Sequence, residues 1–278
     1  MPLALIISSH VAASHVGGTA QASALSIFEI DSMVVPTVLY GRHPGWGAPG
    51  GARVAHETLE GMLAGIEANR LLAETDLVLT GYFASPEQVK VAARAIDSVR
   101  RLNAKSARPV VIVDPTLGDA GKLYVPPEVA TAVIEELVPR ADILAPNAWE
   151  LSHLTGADIA APQAALAAAR SLGKPVLVSS IDCGAEIGVI YADLSEAWMA
   201  VHPRAPSAPK GTGDLLTALF GAALLDGLTG SDALARAVGG VAASVAAAQA
   251  SSAAELPIIG MGQRLKTTSP SVRLERLA

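Results

Sequence analysis

Six short apolar runs, each ending abruptly in polar or turn-forming residues and all but the last followed by a stretch of helical character, constrain this chain more than any other feature. They cover residues 3–7, 33–40, 76–80, 109–113, 142–145 and 175–180. Runs that are apolar at every position belong to strands covered on both faces, and strands joined through helices pair in parallel by right-handed crossovers. The pattern predicts an α/β fold of three layers, a mostly parallel central sheet with helices on both faces. Ligands of such sheets gather outside the carboxyl ends of the strands. Ser9, Tyr82, Asp114, Asn147 and Ser179 all stand at such ends.

Between the runs, helices are expected after a Gly17-Gly18 loop through about 29, from about 52 to 68, after the Ser85 cap with Pro86 at the first helical position, over 127–137 and over 163–172. Residues 187–191 and 197–201 read as a hairpin, and two apolar helices follow residue 214. Neither a repeat nor an interdomain linker is visible, so residues 1–278 are read as one domain, with a polar tail from about 263 held loosely.

The segment Ala208-Pro209-Lys210-Gly211-Thr212-Gly213-Asp214 passes straight into the apolar run 215–220. Two glycines at a helix start let another group approach closely, and the first amides of a helix are donors without intrahelical partners. Asp214 admits two readings, a helix-start carboxylate that complements the macrodipole or a base beside an anion hole built from the 211–213 amides. Asn147 and Glu150 pose the same choice, because Asn followed three residues later by Glu is a capping box, while both side chains can also face one ligand. Residues 41–51 contain Gly45-x-Gly47-x-x-Gly50, formally a dinucleotide fingerprint. Pro44 and Pro49 stretch that segment beyond the tight strand-turn-helix the fingerprint needs. It reads instead as a flap carrying Trp46.

Composition narrows the partners. With 51% hydrophobic residues in 278 the chain buries a large core, which excludes disorder. The net charge of -6 is scattered, which argues against nucleic acid or an anionic membrane as a general partner. Cys183 is the single cysteine, so no intrachain disulfide forms, and a reducing compartment fits. Residues 1–7 lack a basic leader and read as a strand, not as a signal peptide. The longest apolar run, 215–225, falls short of the ~20 residues a membrane span needs. The expectation is a cytoplasmic protein acting on small molecules.

There is no Gly-x-x-x-x-Gly-Lys-[Ser/Thr] loop and no protein-kinase motif set. The motifs present are Ile7-Ser8-Ser9-His10-Val11, Val16-Gly17-Gly18, Val38-Leu39-Tyr40 with Arg42-His43, and Thr80-Gly81-Tyr82. They continue with Asp114-Pro115-Thr116-Leu117-Gly118-Asp119, Leu123-Tyr124-Val125-Pro126, Pro146-Asn147-Ala148-Trp149-Glu150 and the Gly-Thr-Gly-Asp segment. In this order they resemble the ribokinase-like superfamily and, within it, the pyridoxal kinase family.

That resemblance implies ATP-dependent phosphorylation of the 5′-hydroxymethyl group of a B6 vitamer, with Asp214 as base and Gly211, Thr212 and Gly213 as anion hole. It implies that Ser9, Val16, Val38, Tyr40, His43, Trp46 and Tyr82 surround the vitamer, and that Asp114, Asn147, Glu150, Ser179 and Lys210 serve the nucleotide. It further implies Mg²⁺ at Asp114, Asp119 and Glu150, a monovalent cation such as K⁺, and a homodimer. Three positions depart from the family pattern: Pro44 replaces a substrate-touching threonine, Gly18 replaces an asparagine, and Ser179 stands where some members carry lysine. The alternatives are a ribokinase-like kinase of hydroxymethylpyrimidine, a sugar or a nucleoside, and a vitamer-binding protein without catalysis.

Overall fold

A computed structural model describes residues 1–267 and 272–278. In the first strand, β1 (Leu3–Val11), neighbouring side chains point to opposite faces and both faces are covered. Leu5 and Ile7 enter one core, Ala4 and Ile6 the other. The chain crosses through α1 (Gly17–Ile27) to β2 (Asp31–Tyr40), turns back as β3 (Gly51–Arg53), and runs through α2 (His56–Ala68), β4 (Leu77–Thr80), α3 (Pro86–Leu102) and β5 (Val110–Val113). A small hairpin, β6 (Gly118–Asp119) and β7 (Lys122–Leu123), precedes α4 (Pro127–Ala132), whose axis continues as a π-helical turn over Val133–Leu137. Then come β8 (Ile143–Leu144), α5 (Ala148–Thr155), α6 (Pro162–Ser171), and the consecutive antiparallel strands β9 (Val176–Cys183), β10 (Glu186–Ala192) and β11 (Ala197–Pro203). The last elements are α7 (Thr212–Leu225), α8 (Gly230–Ala250), α9 (Ile258–Met261) and β12 (Arg273–Arg276).

The sheet order is β12-β11-β10-β9-β8-β5-β4-β1-β2-β3. Its centre, from β2 to β9, is parallel, and antiparallel strands extend both edges. One face is covered by α2 to α6 through residues such as Leu59, Val89, Ile96, Val129 and Leu151. The other face is covered by α1, α7, α8 and α9 through Leu25, Leu219, Phe220, Leu234 and Ile258. This is the expected three-layer α/β architecture, and it brings the strand ends and the start of α7 to one rim.

Three expectations fail. No helix starts near 52; Ala52 and Arg53 pair as an exposed edge strand with Leu39 and Val38, and α2 begins at His56. The free edge of β2 offers backbone groups that an extended segment satisfies and a helix does not. The strand predicted to end at Ser180 continues to Cys183, because its second half pairs antiparallel with β10, past a register shift near Ser180, where φ is +62°. The tail is not loose on either side of residues 268–271, which lie outside the described residues. Leu265 is buried, and β12 adds to β11, with Arg273 ion-paired to Glu186 at 3.0 Å. Its four residues Arg-Leu-Glu-Arg carry no apolar run, so only the waiting edge of β11 makes them a strand.

Among the described residues, α8 is the one helix long and apolar enough to cross a membrane, with a mean hydropathy of 1.3 over its most apolar window. Its Leu234, Ala237, Val238 and Val245 are buried in the second core, which accounts for that composition.

Candidate active site

Two helix starts meet at Asp214. The loop reaches α7 through Gly211, whose φ of +91° is a left-handed conformation suited to glycine. A Cβ there would lie 2.2 Å from the carbonyl oxygen of His15, so no side chain fits. No side chain caps α7. The amides of Thr212 and Gly213 are therefore donors at a positive helix end, a suitable cradle for an anion. From the other side the amide of Gly17, the first residue of α1, faces the Asp214 carboxylate and favours its charged form. Gly17 also has a left-handed φ, +57°, and packs directly on Ser9, whose Oγ would lie 2.1 Å from a Cβ at 17. Ser9, Val16 and Asp214 thus share one corner. Burial pushes the Asp214 carboxyl up to about 6, against the pull of its hydrogen bonds.

Asp114 approaches the same loop from the end of β5. Its Oδ1 accepts from the N–H and Oγ1 of Thr116, at 2.9 and 2.7 Å. Its Oδ2 faces Gly213, at 3.8 Å from where a Cβ would stand. Burial, then the charges of Glu150 and Asp214, hold the Asp114 carboxyl well above the usual carboxylate range. Thr116 adopts a φ of +44°, rare for a β-branched residue. Both of its donors are turned onto Asp114 by that conformation, and strain of this kind marks functional loops.

Glu150 is both a cap and a clamp. Its backbone N–H donates to Asn147 Oδ1 and its Oε2 accepts from the Asn147 N–H, each at 2.9 Å, which completes the capping box. Its Oε1 accepts from the N–H of Leu117 at 2.7 Å and of Gly118 at 3.2 Å, tying the loop after Asp114 to α5. Asn147 Nδ2 donates to the Gly118 carbonyl, and Ser179 sits beside Asn147 in an isolated parallel bridge, its N–H on the Pro146 carbonyl. Burial moves the Glu150 carboxyl up to about 7. Glu150→Gln replaces one acceptor by an NH₂ facing backbone N–H groups. The variant is expected to lose about 1–3 kcal/mol in urea unfolding and to need more Mg²⁺ for any metal-dependent turnover. Parental stability would remove the clamp.

Other predicted residues lie further out. Asp119 is exposed on β6, its Oδ1 accepting from the Ala120 N–H, and it reaches this group only through its charge on Glu150. Among the described residues no three His, Cys, Asp or Glu side chains are grouped to hold a metal by themselves. Val38 is fully buried, whereas Tyr40 and Tyr82 are partly exposed. Burial raises the Tyr82 hydroxyl, with Tyr40 next in effect. The flap stands open to solvent: Trp46 is 43% exposed and meets the ring of His43 edge-on at 6.4 Å. Lys210 is exposed, and its charge adds to burial in lowering the pKa of His43.

The family model of the phosphomethylpyrimidine kinases matches residues 62–258. A pyridoxal kinase of Leifsonia xyli is 33% identical over 78% of this chain and 78% of its own length. A pyridoxine/pyridoxal/pyridoxamine kinase of Bordetella avium is 36% identical over 80% and 77%. The chain belongs to the pyridoxal kinase family. A pyridoxal kinase from Leishmania donovani in complex with ADP and pyridoxamine matches all of this chain with all of its own, with a TM-score of 0.92 and 26% identity. This family member is accordingly a ribokinase-like phosphotransferase.

Two contributors to this kinase site are absent from the predicted set. Thr116 was visible only as the middle of Asp-Pro-Thr, and nothing local announces its left-handed backbone. Gly17 reads as turn chemistry until the fold brings its amide to Asp214, 197 residues away in the numbering of the chain.

Proposed function

We propose that the protein transfers the γ-phosphoryl group of ATP to the 5′-hydroxymethyl group of pyridoxal, pyridoxamine or pyridoxine, giving the 5′-phosphate and ADP. The observation that carries this reading is the Asp214 carboxylate, set in the first turn of an uncapped helix start with the Gly17 amide facing it. The vitamer hydroxyl gives its proton to Asp214 as its oxygen bonds to the γ-phosphorus and the bond to ADP breaks. The Thr212 and Gly213 amides stabilise the charge on the transferring group. A cavity of about 580 Å³ beside this loop, lined in part by Pro206, Pro209, Ala248 and Gln249, gives room for the nucleotide base.

A divalent cation suits the donor set, because Asp114 keeps an oxygen free of the Thr116 bonds and its charged form is disfavoured until a cation arrives. Asp114 and Glu150, with Asp119 at the rim, would hold Mg²⁺, which when bound neutralises the nucleotide phosphates. Its remaining ligands would be phosphate and water oxygens.

The test is a panel of pyridoxal, pyridoxamine, pyridoxine, hydroxymethylpyrimidine and simple sugars with ATP and Mg²⁺, read by product mass. A B6 vitamer 5′-phosphate is expected. Turnover of only a pyrimidine alcohol or a sugar moves the assignment within the superfamily, and vitamer binding with no turnover makes the protein a carrier. A requirement for K⁺, assembly as a homodimer and residence in the cytoplasm belong to the same proposal. They are read by replacing K⁺ with tetramethylammonium, by sedimentation and by cell fractionation.

A further inference from the structure

Glu255 lies after α8, 241 positions from the turn it grips. Its Oε2 accepts from Ser14 Oγ at 3.0 Å and from the His15 N–H at 2.8 Å. The next carbonyl, that of the buried Leu256, is 2.8 Å from His15 Nδ1. Its Oε1 is buried and has no hydrogen-bond partner among the described residues. A carboxylate is costly to place this way unless the bonds it accepts repay the desolvation.

The gripped turn touches three parts of the site. At its start Ala12 and Ala13 donate N–H groups to the carbonyls of Tyr40 and Gly41, where the flap is rooted. At its centre the His15 carbonyl occupies the space against Gly211. At its end the Gly17 amide faces Asp214. Val16, the residue between, caps α1 with no side-chain bond. Ser14 and His15 are thus the part of this turn that a side chain from elsewhere in the fold holds.

We propose that Glu255 is a positioning residue for phosphoryl transfer. By fixing the Ser14-His15 turn it sets the separation between the anion loop at Gly211 and the base at Asp214. It touches neither substrate nor reacting atoms.

The kinetic part of the test rests on the kinase reading; amide hydrogen exchange does not. Glu255→Ala should lower kcat roughly 10- to 100-fold, since small misplacements of catalytic groups have effects of that order. KM for ATP and for the vitamer should move by less than about threefold, because the interaction lost matters in the transition state. Glu255→Gln keeps a carbonyl able to accept both bonds and should recover most of that loss. In Glu255→Ala the amides of Ala12, Ala13 and Leu215, which donate to the carbonyls of Tyr40, Gly41 and Gly211, should exchange at least about tenfold faster while those in the middle of α7 keep parental protection. Unchanged exchange at Ala12, Ala13 and Leu215 overturns the proposal whatever the protein phosphorylates. A kcat within about twofold of parent overturns it too, as does a Gln variant as impaired as the Ala variant with an equal fall in melting temperature. If the parent protein turns over no vitamer, the kinase reading fails and the exchange measurement alone decides on Glu255.

Discussion

Asp214→Asn is expected to lower kcat by ~10²- to 10⁴-fold with little change in ATP binding, while raising the thermal midpoint at pH 8. The two effects have one cause. Burial lifts the Asp214 carboxyl from 3.8 to about 6, so the folded protein binds this proton more readily than the unfolded chain does. The buried charge therefore costs stability above about pH 6, and the cost disappears as pH falls below the unfolded value. An amide removes the charge and with it both the base and the cost. In the parent, turnover should fall in proportion to acidity below about pH 6, as the base takes up its proton, and Asp214→Asn should lack that limb. Near-parental turnover by the variant removes Asp214 from the mechanism. A destabilised variant at pH 8 refutes the linkage while leaving the base in place.

Gly211→Ala carries the second large effect. The new Cβ would have to share space with the His15 carbonyl, 2.2 Å away, and would sit on a backbone with φ of +91°. The neighbour is main chain and cannot swing aside as a side chain would. The loop must shift, which moves the Thr212 and Gly213 amides off the phosphoryl group. Loss of a single aligned donor lowers turnover by ~10²- to 10³-fold. The strain itself is of order 1–3 kcal/mol, so the variant should still fold and melt earlier. Steady-state kinetics with thermal unfolding separates these: kcat should fall far more than stability explains, and activity within about threefold of parent would show that the loop does not hold the transferring group.

The relation between Glu150 and Asn147 shows how far the residues spoke for themselves. A capping box is local, four residues in one helical turn, so its spacing alone was sufficient to predict it. That the same carboxylate also clamps Leu117 and Gly118 depends on β5 and β8 lying side by side, and neither strand states that order. Of the alternatives that competed on sequence the cap is formed, and the same side chain also clamps the loop after Asp114.

What the sequence by itself determined is everything with a short period or a short motif. The two-face burial of the central strands was written in runs such as 3–7 and 109–113, and with it the three-layer fold. The abrupt polar ends of those runs placed Ser9, Asp114 and Asn147 on one rim, and the glycines at 211 and 213 marked a helix start that no side chain caps. Tertiary structure decided where free backbone edges and long-range acceptors found partners. Gly51–Arg53 and Arg273–Arg276 are strands only because β2 and β11 present unpaired edges, and a charged four-residue segment has no periodicity from which to read that. Gly17 meets Asp214, and Glu255 meets Ser14 and His15, across nearly the whole chain. Such contacts form because the sheet folds its helix starts onto one rim, and the residues that make them carry no local pattern.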